Sequence, residues 1–538
     1  MTIAERDGGQ LAASVLRSAG VDRIFTLSGG HLFPLYDGAV KESIELIDTR
    51  HEQSAVFAAE GWAKVTRSLG AAALTAGPGV TNGVSAITSA YMSGSPIAVL
   101  GGRAPQYRWG VGSLQELDHL PILNSVTKYA ATATGPESIG REVATMIELA
   151  SSAHRGPTFV DVPLDAWGPA GSYDTPSVAR PAPIAPDPEA IAAIARLVST
   201  AHAPVVIAGG DVYWDRAENA LVTFAESARV PVIVNGLGRG VIPADHPLAL
   251  SRARSAALRG ADLILVIGTP LDFRLGFGDF GGPRVVHIAD APEGVATHVE
   301  LAARAAGDLT TVLTGLAEGA VGGDHEAWVA ALADDEAAQR SLEADALSAD
   351  ADPILPTRVY GELRSRLARD AIVIGDGGDF VSYAGKLIDT FTPGCFLDPG
   401  PYGCLGVGPG YALAAGLAHP DRQVVLLLGD GATGFAMGDF DTLIRHGVDV
   451  VAIVGNNGIW GLEKHPMQLL YGYDVVADLR PGTRYDQVVE ALGGHGEFVE
   501  HPADIGAALD RAFATPGVSL VNVCTDPADA YPRRSNLA

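Results

Sequence analysis

The sequence predicts an α/β protein made of three doubly wound parallel-sheet domains, on three observations. Its 538 residues suffice for three or four domains of about 150 residues each. Short apolar runs ending in Gly or Asp alternate with helical patterns along the chain, as parallel strands buried on both faces do. Two segments rich in Ala, Pro and Ser or Asp, Ala166–Ala190 and 341–356, divide it into blocks over residues 1–170, 185–340 and 355–538.

In the first block PIAVLGG and TFVDVP read as strands. The uncharged stretch from Gly70 to Gly102 has the length of a membrane span, but Gly77, Pro78, Gly79, Asn82, Gly94 and Pro96 break it into short pieces, so it belongs to a buried α/β core. In RHEQSAVFAAEGWAK, Ala55, Ala58, Ala59, Trp62 and Ala63 share one helix face. Glu52 falls in that helix's first turn, where an acid also favours the helix dipole. The second block supplies PVVIAGG, PVIVNG, DLILVIG and RVVHIAD, and the third AIVIGDGG, QVVLLLGDG, VDVVAIVGNN and VSLVNVC. In sheets of this kind ligands gather at the carboxyl ends of the strands.

Charge and cysteine content narrow the function. Lys+Arg 37 against Asp+Glu 63 gives a net charge of −26, which repels nucleic acids and anionic membrane surfaces. An anionic small ligand would need a local basic pocket. Three cysteines without a CxxC pair support neither a disulfide framework nor a zinc site. They suit a reducing compartment, and the first ten residues lack the pattern of a signal peptide. A cytoplasmic protein is expected.

The third block carries the chemistry. QVVLLLGDG and VDVVAIVGNN are strands that run into Gly-Asp-Gly and Asn-Asn-Gly turns. Neighbouring parallel strands would bring Asp430 and Asn457 to one sheet edge. A carboxylate, an amide oxygen and a nearby carbonyl form a hard-oxygen set that suits Mg²⁺ carrying a diphosphate. Gly431 lets the backbone approach the phosphates.

This pairing resembles the diphosphate motif of the thiamine diphosphate (ThDP) enzymes, and the similarity extends over nearly the whole chain. It implies a pyrimidine-binding domain, a middle domain and a diphosphate-binding domain, in that order. It implies Mg²⁺ held by Asp430, Asn457 and the Ile459 carbonyl, with Gly429, Gly431 and Ala432 forming the diphosphate turn. The match around RHEQSAVFAAEGWA makes Glu52 the acid that bonds N1′ of the aminopyrimidine. In GPYGCLGVGPGY the resemblance gives Leu405 as the side chain that bends the cofactor and the Gly403 carbonyl as acceptor for its 4′-amino group. Because domains of two subunits clasp one cofactor in this family, at least a homodimer is implied, and often a homotetramer. Some relatives keep FAD, which this sequence does not exclude.

For the reaction, the middle block resembles 2-hydroxyacyl-CoA lyases and oxalyl-CoA decarboxylases. It has their Ala-Arg-Ser at 253–255 and lacks the Gly-Met-His-Gly segment of acetolactate synthases. Arg252 and Arg254 then become candidate contacts for the phosphates of an acyl-CoA substrate, as do Arg533 and Arg534 in a tail that closes over the site. The alternative for each pair is a solvated basic surface or a frayed end. His31 in SGGHLF, Gln115 in GSLQELDH and Glu463 in NNGIWGLEKHPM are pocket candidates, and the catalytic base is Glu463 or His31. An exposed helix Glu paired with Lys464 or His465 is the other reading of Glu463. The expected activity is cleavage of the C1–C2 bond of a 2-hydroxyacyl-CoA to formyl-CoA and an aldehyde or ketone. Acetolactate synthase-like condensation of 2-oxoacids and oxalyl-CoA decarboxylase-like activity are the alternatives.

Overall fold

The computed structural model describes residues 5–320 and 323–532. It contains three all-parallel sheets. The first holds β1 (Arg23–Thr26), β2 (Glu45–Asp48), β3 (Gly70–Leu74), β4 (Ile97–Arg103), β5 (Tyr129–Thr132) and β6 (Thr158–Pro163), in the order β2-β1-β3-β4-β6-β5. The second holds β7 (Pro204–Ala208), β8 (Val232–Val234), β9 (Leu263–Ile267), β10 (Arg284–Ala289) and β11 (Ala303–Ala306), ordered β11-β10-β9-β7-β8. The third holds β12 (Ile372–Asp376), β13 (Phe396–Leu397), β14 (Val424–Gly429), β15 (Val450–Asn456), β16 (His495–Val499) and β17 (Val518–Cys524), ordered β13-β12-β14-β15-β17-β16. The first and third sheets therefore share one topology.

That topology positions the site. Strand order reverses between β1 and β3 in the first sheet and between β12 and β14 in the third, and the crevice beyond such a reversal is where ligands bind. The loops entering the first crevice carry His31 and the Thr75–Gly79 turn. Those entering the third carry the Gly377–Asp379 turn and Asp430.

The helix Glu52–Thr66 joins the two halves. It is buried on nearly every side, from Ser54 to Gly61 without a break, rather than along one face. The cause is a second partner, the helix Gly408–Ala418 of the third block. A Cβ on Gly61 would lie 2.8 Å from the Tyr411 Cα, so small residues let the two backbones approach. A buried ion pair between Lys64 and Glu60 (2.9 Å) lies at this contact, with Lys64 also donating to the Tyr411 hydroxyl at 2.8 Å.

The stretch from Gly70 to Gly102 folds as β3, a helix Pro78–Met92 and β4. No helix among the described residues is long and apolar enough to cross a membrane. The second expected linker is shorter than predicted. Its first half completes the 22-residue helix Glu326–Leu347, because Ala, Leu and Glu are good helix formers whatever their resemblance to linker composition.

Candidate active site

Two groups of residues face the crevices. The first surrounds the Thr75–Gly79 turn. Glu52, buried at the start of its helix, accepts from the Asn82 side-chain amide at 3.0 Å through Oε2. A Cβ on Gly79 would sit 3.6 Å from Glu52 Oε1, so that oxygen faces the turn. His31 is buried beside Thr75, with Nδ1 3.4 Å from the Thr75 hydroxyl. Burial and the neighbouring His119 hold its imidazole below the ordinary value. Gln115 lies against Gly77 with φ +60, a conformation that costs a non-glycine residue energy and recurs at functional sites. Glu116, by contrast, accepts from the amides of Gly110 and Ser113 and shapes its own loop.

The second group lines a cavity of about 60 Å³ formed by Gly378, Asp379, Leu405, the Gly429–Ala432 turn, Asn457, Ile459 and Glu463, among others. The Asp430 carboxylate accepts from the amides of Gly431 (3.0 Å) and Gly458 (2.7 Å). Burial nevertheless pushes it up to about 6. A carboxylate so desolvated, beside the Asn457 amide oxygen and an opening lined by glycine backbone, fits a hard divalent cation with a phosphate ligand. The two asparagines divide their work. Asn456 bonds Thr483 and Asn522 inside the sheet, whereas Asn457 Oδ1 closes its own turn on the Ile459 amide at 3.2 Å.

Leu405 packs directly on the Gly377 turn. A Cβ on Gly377, whose φ is +57, would come within 2.0 Å of Leu405 Cδ2. Gln53, next to Glu52, donates to the Leu405 carbonyl at 3.3 Å, so the two groups adjoin within one chain. Gly403 takes φ +71 in the same turn and is exposed. Glu463 reaches the cavity from the first turn of the helix Gly461–Tyr471 but is exposed. The desolvation expected of a base is thus absent there. Lys464 pairs with Asp474 and Asp478 instead.

Several site residues escaped the sequence reading. Asp376 ends β12 and accepts from the amides of Gly406 (2.9 Å) and Gly408 (2.8 Å), holding the turn after Leu405. Complete burial pushes its carboxyl up to about 7. The signal was present, since AIVIGDGG and QVVLLLGDG both end a strand in Gly-Asp-Gly. Asp379, in the cavity wall, accepts from the Tyr531 amide, so the segment after β17 returns to the site. Arg533 and Arg534 lie outside the described residues.

The expected CoA contacts do not form a free basic pair. Arg252 is bonded to Glu343 (2.8 Å) and Asp389 (2.7 Å) with its side chain buried. Arg254 donates to the Arg274 carbonyl. In the middle sheet the crevice between β7 and β9 encloses about 70 Å³ and is lined by Gly210, Asp211, Gly268 and Thr269 among others. Asp211 and Asp290 meet His154 there (3.6 and 2.9 Å), and Arg155 pairs with Asp215 and Asp290.

Sequence comparisons agree with this geometry. "Thiamine pyrophosphate enzyme, N-terminal TPP binding domain" matches residues 6–122, the central domain residues 191–316 and the C-terminal TPP binding domain residues 376–523. The chain is 56% identical over 98% of both lengths to a probable acetolactate synthase of Mycobacterium bovis, and equally to acetolactate synthase large subunit IlvG of Mycobacterium tuberculosis. It is 33% identical to 2-hydroxyacyl-CoA lyase 2 of Caenorhabditis elegans, covering 98% of this chain and 90% of the relative. These identities overturn the expected carbon–carbon lyase acting on 2-hydroxyacyl-CoA. The Ala-Arg-Ser segment that suggested it abuts an internal ion network around Arg252. Matched along all three domains, the chain belongs to the thiamine pyrophosphate enzymes.

Proposed function

We propose that this chain is an acetolactate synthase-type enzyme, condensing two molecules of a 2-oxoacid such as pyruvate with loss of CO₂. The observation that carries this reading is the 56% identity, over 98% of both chains, to proteins named acetolactate synthases.

Bound ThDP supplies a nucleophilic carbon and a sink for the electrons released on decarboxylation. The protein's part falls to residues in the two crevices. Asp430, Asn457 and the Ile459 carbonyl would hold Mg²⁺, and Gly429, Gly431 and Ala432 would line the diphosphate. Glu52 would hold a proton at N1′ of the aminopyrimidine, since Asn82 occupies Oε2 and leaves Oε1 for that role. Leu405, braced on Gly377, would hold the cofactor in its bent form, and the Gly403 carbonyl would accept from its 4′-amino group. Gln115 and His31 border the substrate side. Glu52 and Asp430 stand on different sheets, and the working unit is a homodimer or homotetramer in a reducing cytoplasm, where Cys395, Cys404 and Cys524 stay unpaired.

The test is to supply pyruvate, ThDP and Mg²⁺ to the purified chain and assay acetolactate. Formation that depends on both additions supports the reading; pyruvate left unconsumed refutes it.

A further inference from the structure

We propose that His119 is a positioning residue of this active site: its imidazole, anchored on Asp161, holds the Gly77 amide and so fixes the turn on which Glu52, His31 and Gln115 converge. The proposal rests on the reading of Glu52 as the acid that serves the cofactor.

The hydrogen bonds determine how the ring is used. His119 and Asp161 are both completely buried. His119 Nδ1 lies 2.8 Å from Asp161 Oδ2, and the Gly77 amide lies 3.1 Å from His119 Nε2. A backbone N–H can only donate, so Nε2 accepts. The proton is therefore on Nδ1 and is donated to the carboxylate. Arg103 donates to the same Asp161 oxygen at 2.8 Å. The Phe159 ring meets the imidazole edge-on at 6.1 Å.

The anchor is rigid and what it holds is delicate. Asp161 lies inside β6, paired in register with Gly101 of β4, so the relay starts from the sheet itself. Gly77 takes φ +61, and a Cβ there would meet the Cβ and carbonyl oxygen of Gln115 at 3.0 Å. No L-residue could replace it without displacing Gln115. Two positions on, Gly79 faces Glu52 Oε1. Thr75, at the start of the turn, touches His31. One buried bond to the apex of the turn thus sets the spacing of three groups from three separate loops. Without it the Gly77 amide and the Asp161 carboxylate would both lose a buried partner, and a displacement of about 1 Å can cost ~10²-fold in rate.

The experiment compares His119→Met, which keeps volume but lacks a hydrogen-bonding counterpart, with His119→Gln, whose amide can accept from Gly77 and donate to Asp161. Each holoenzyme is assayed for exchange of the ThDP C2 proton, for kcat and KM with pyruvate, and for thermal unfolding. We expect folded His119→Met to lose ~10–100-fold in C2 exchange and kcat with KM within ~3-fold, and His119→Gln to stay within ~10-fold of the parent. A folded His119→Met that exchanges within ~2-fold of the parent overturns the proposal. Should His119→Met not fold, His119→Gln decides alone, on the same ~10-fold limit. C2 exchange needs no substrate, so a parent enzyme that exchanges but makes no acetolactate would sink the reaction and leave this test standing.

Discussion

Glu52 and Asn82 are joined by a 3.0 Å hydrogen bond between residues 30 positions apart, from the first turn of one helix to the second turn of the next. One carboxylate oxygen is thereby fixed and the other left facing the Gly79 backbone. Among the described residues the acid forms no ion pair.

Glu52→Gln should abolish acetolactate formation while leaving ThDP bound. An amide keeps the contact with Asn82 but cannot hold the N1′ proton, and general acid–base groups contribute typically ~10²–10⁴-fold. The check pairs the steady-state rate with cofactor content after gel filtration. Near-parental turnover would remove Glu52 from the chemistry.

Asp430→Ala should lose Mg²⁺ and ThDP together, since this carboxylate is the one acidic group among the assigned metal-holding atoms. Metal analysis and the thiamine content of the desalted protein read this directly. Full retention of both would place the diphosphate elsewhere.

Gly377→Ala tests the brace behind Leu405. The substitution combines a left-handed φ with a contact at 2.0 Å, so Leu405 must move. Backbone strain of this kind costs on the order of 1–3 kcal/mol. The expected result is a lower unfolding temperature together with weaker ThDP binding; unchanged binding would remove Leu405 from the cofactor wall.

His154 gives a pH signature. Burial opposes its charge, but the Asp211 and Asp290 carboxylates override this and push it up to about 9 from 6.5. A raised value stabilises the fold fully below about 6.5, and the gain is lost as pH rises through about 9. The buried Asp211 carboxyl, itself raised, also costs stability as pH rises, over a lower range, so only a variant comparison isolates the histidine. His154→Gln should therefore be less stable than the parent near pH 6, with the gap in unfolding midpoint closing by about pH 10. A gap that does not change with pH would contradict the ion pairing.

The fold was legible because long buried strands such as QVVLLLGDG and VDVVAIVGNN are apolar along their whole length, as β14 and β15 are buried along theirs. Strands β2, β5 and β16 escaped because they are short and only partly buried. Asp430, Asn457 and Glu52 stand out in the sequence because each directly follows a strand or opens a helix within a recognisable local pattern. Arg252 was misread because its partners Glu343 and Asp389 lie 91 and 137 positions away, where no local pattern reveals them. His119 and Asp161, 42 positions apart, were hidden for the same reason.

The proposed reaction joins two 2-oxoacids. The most direct measurement follows ¹³C-labelled pyruvate by NMR with the purified protein, ThDP and Mg²⁺, alongside a 2-hydroxyacyl-CoA in a separate vessel. Condensation of two pyruvates yields labelled acetolactate and CO₂ in equal amounts from the first and no formyl-CoA from the second. Formyl-CoA from the second, with pyruvate untouched in the first, would contradict it.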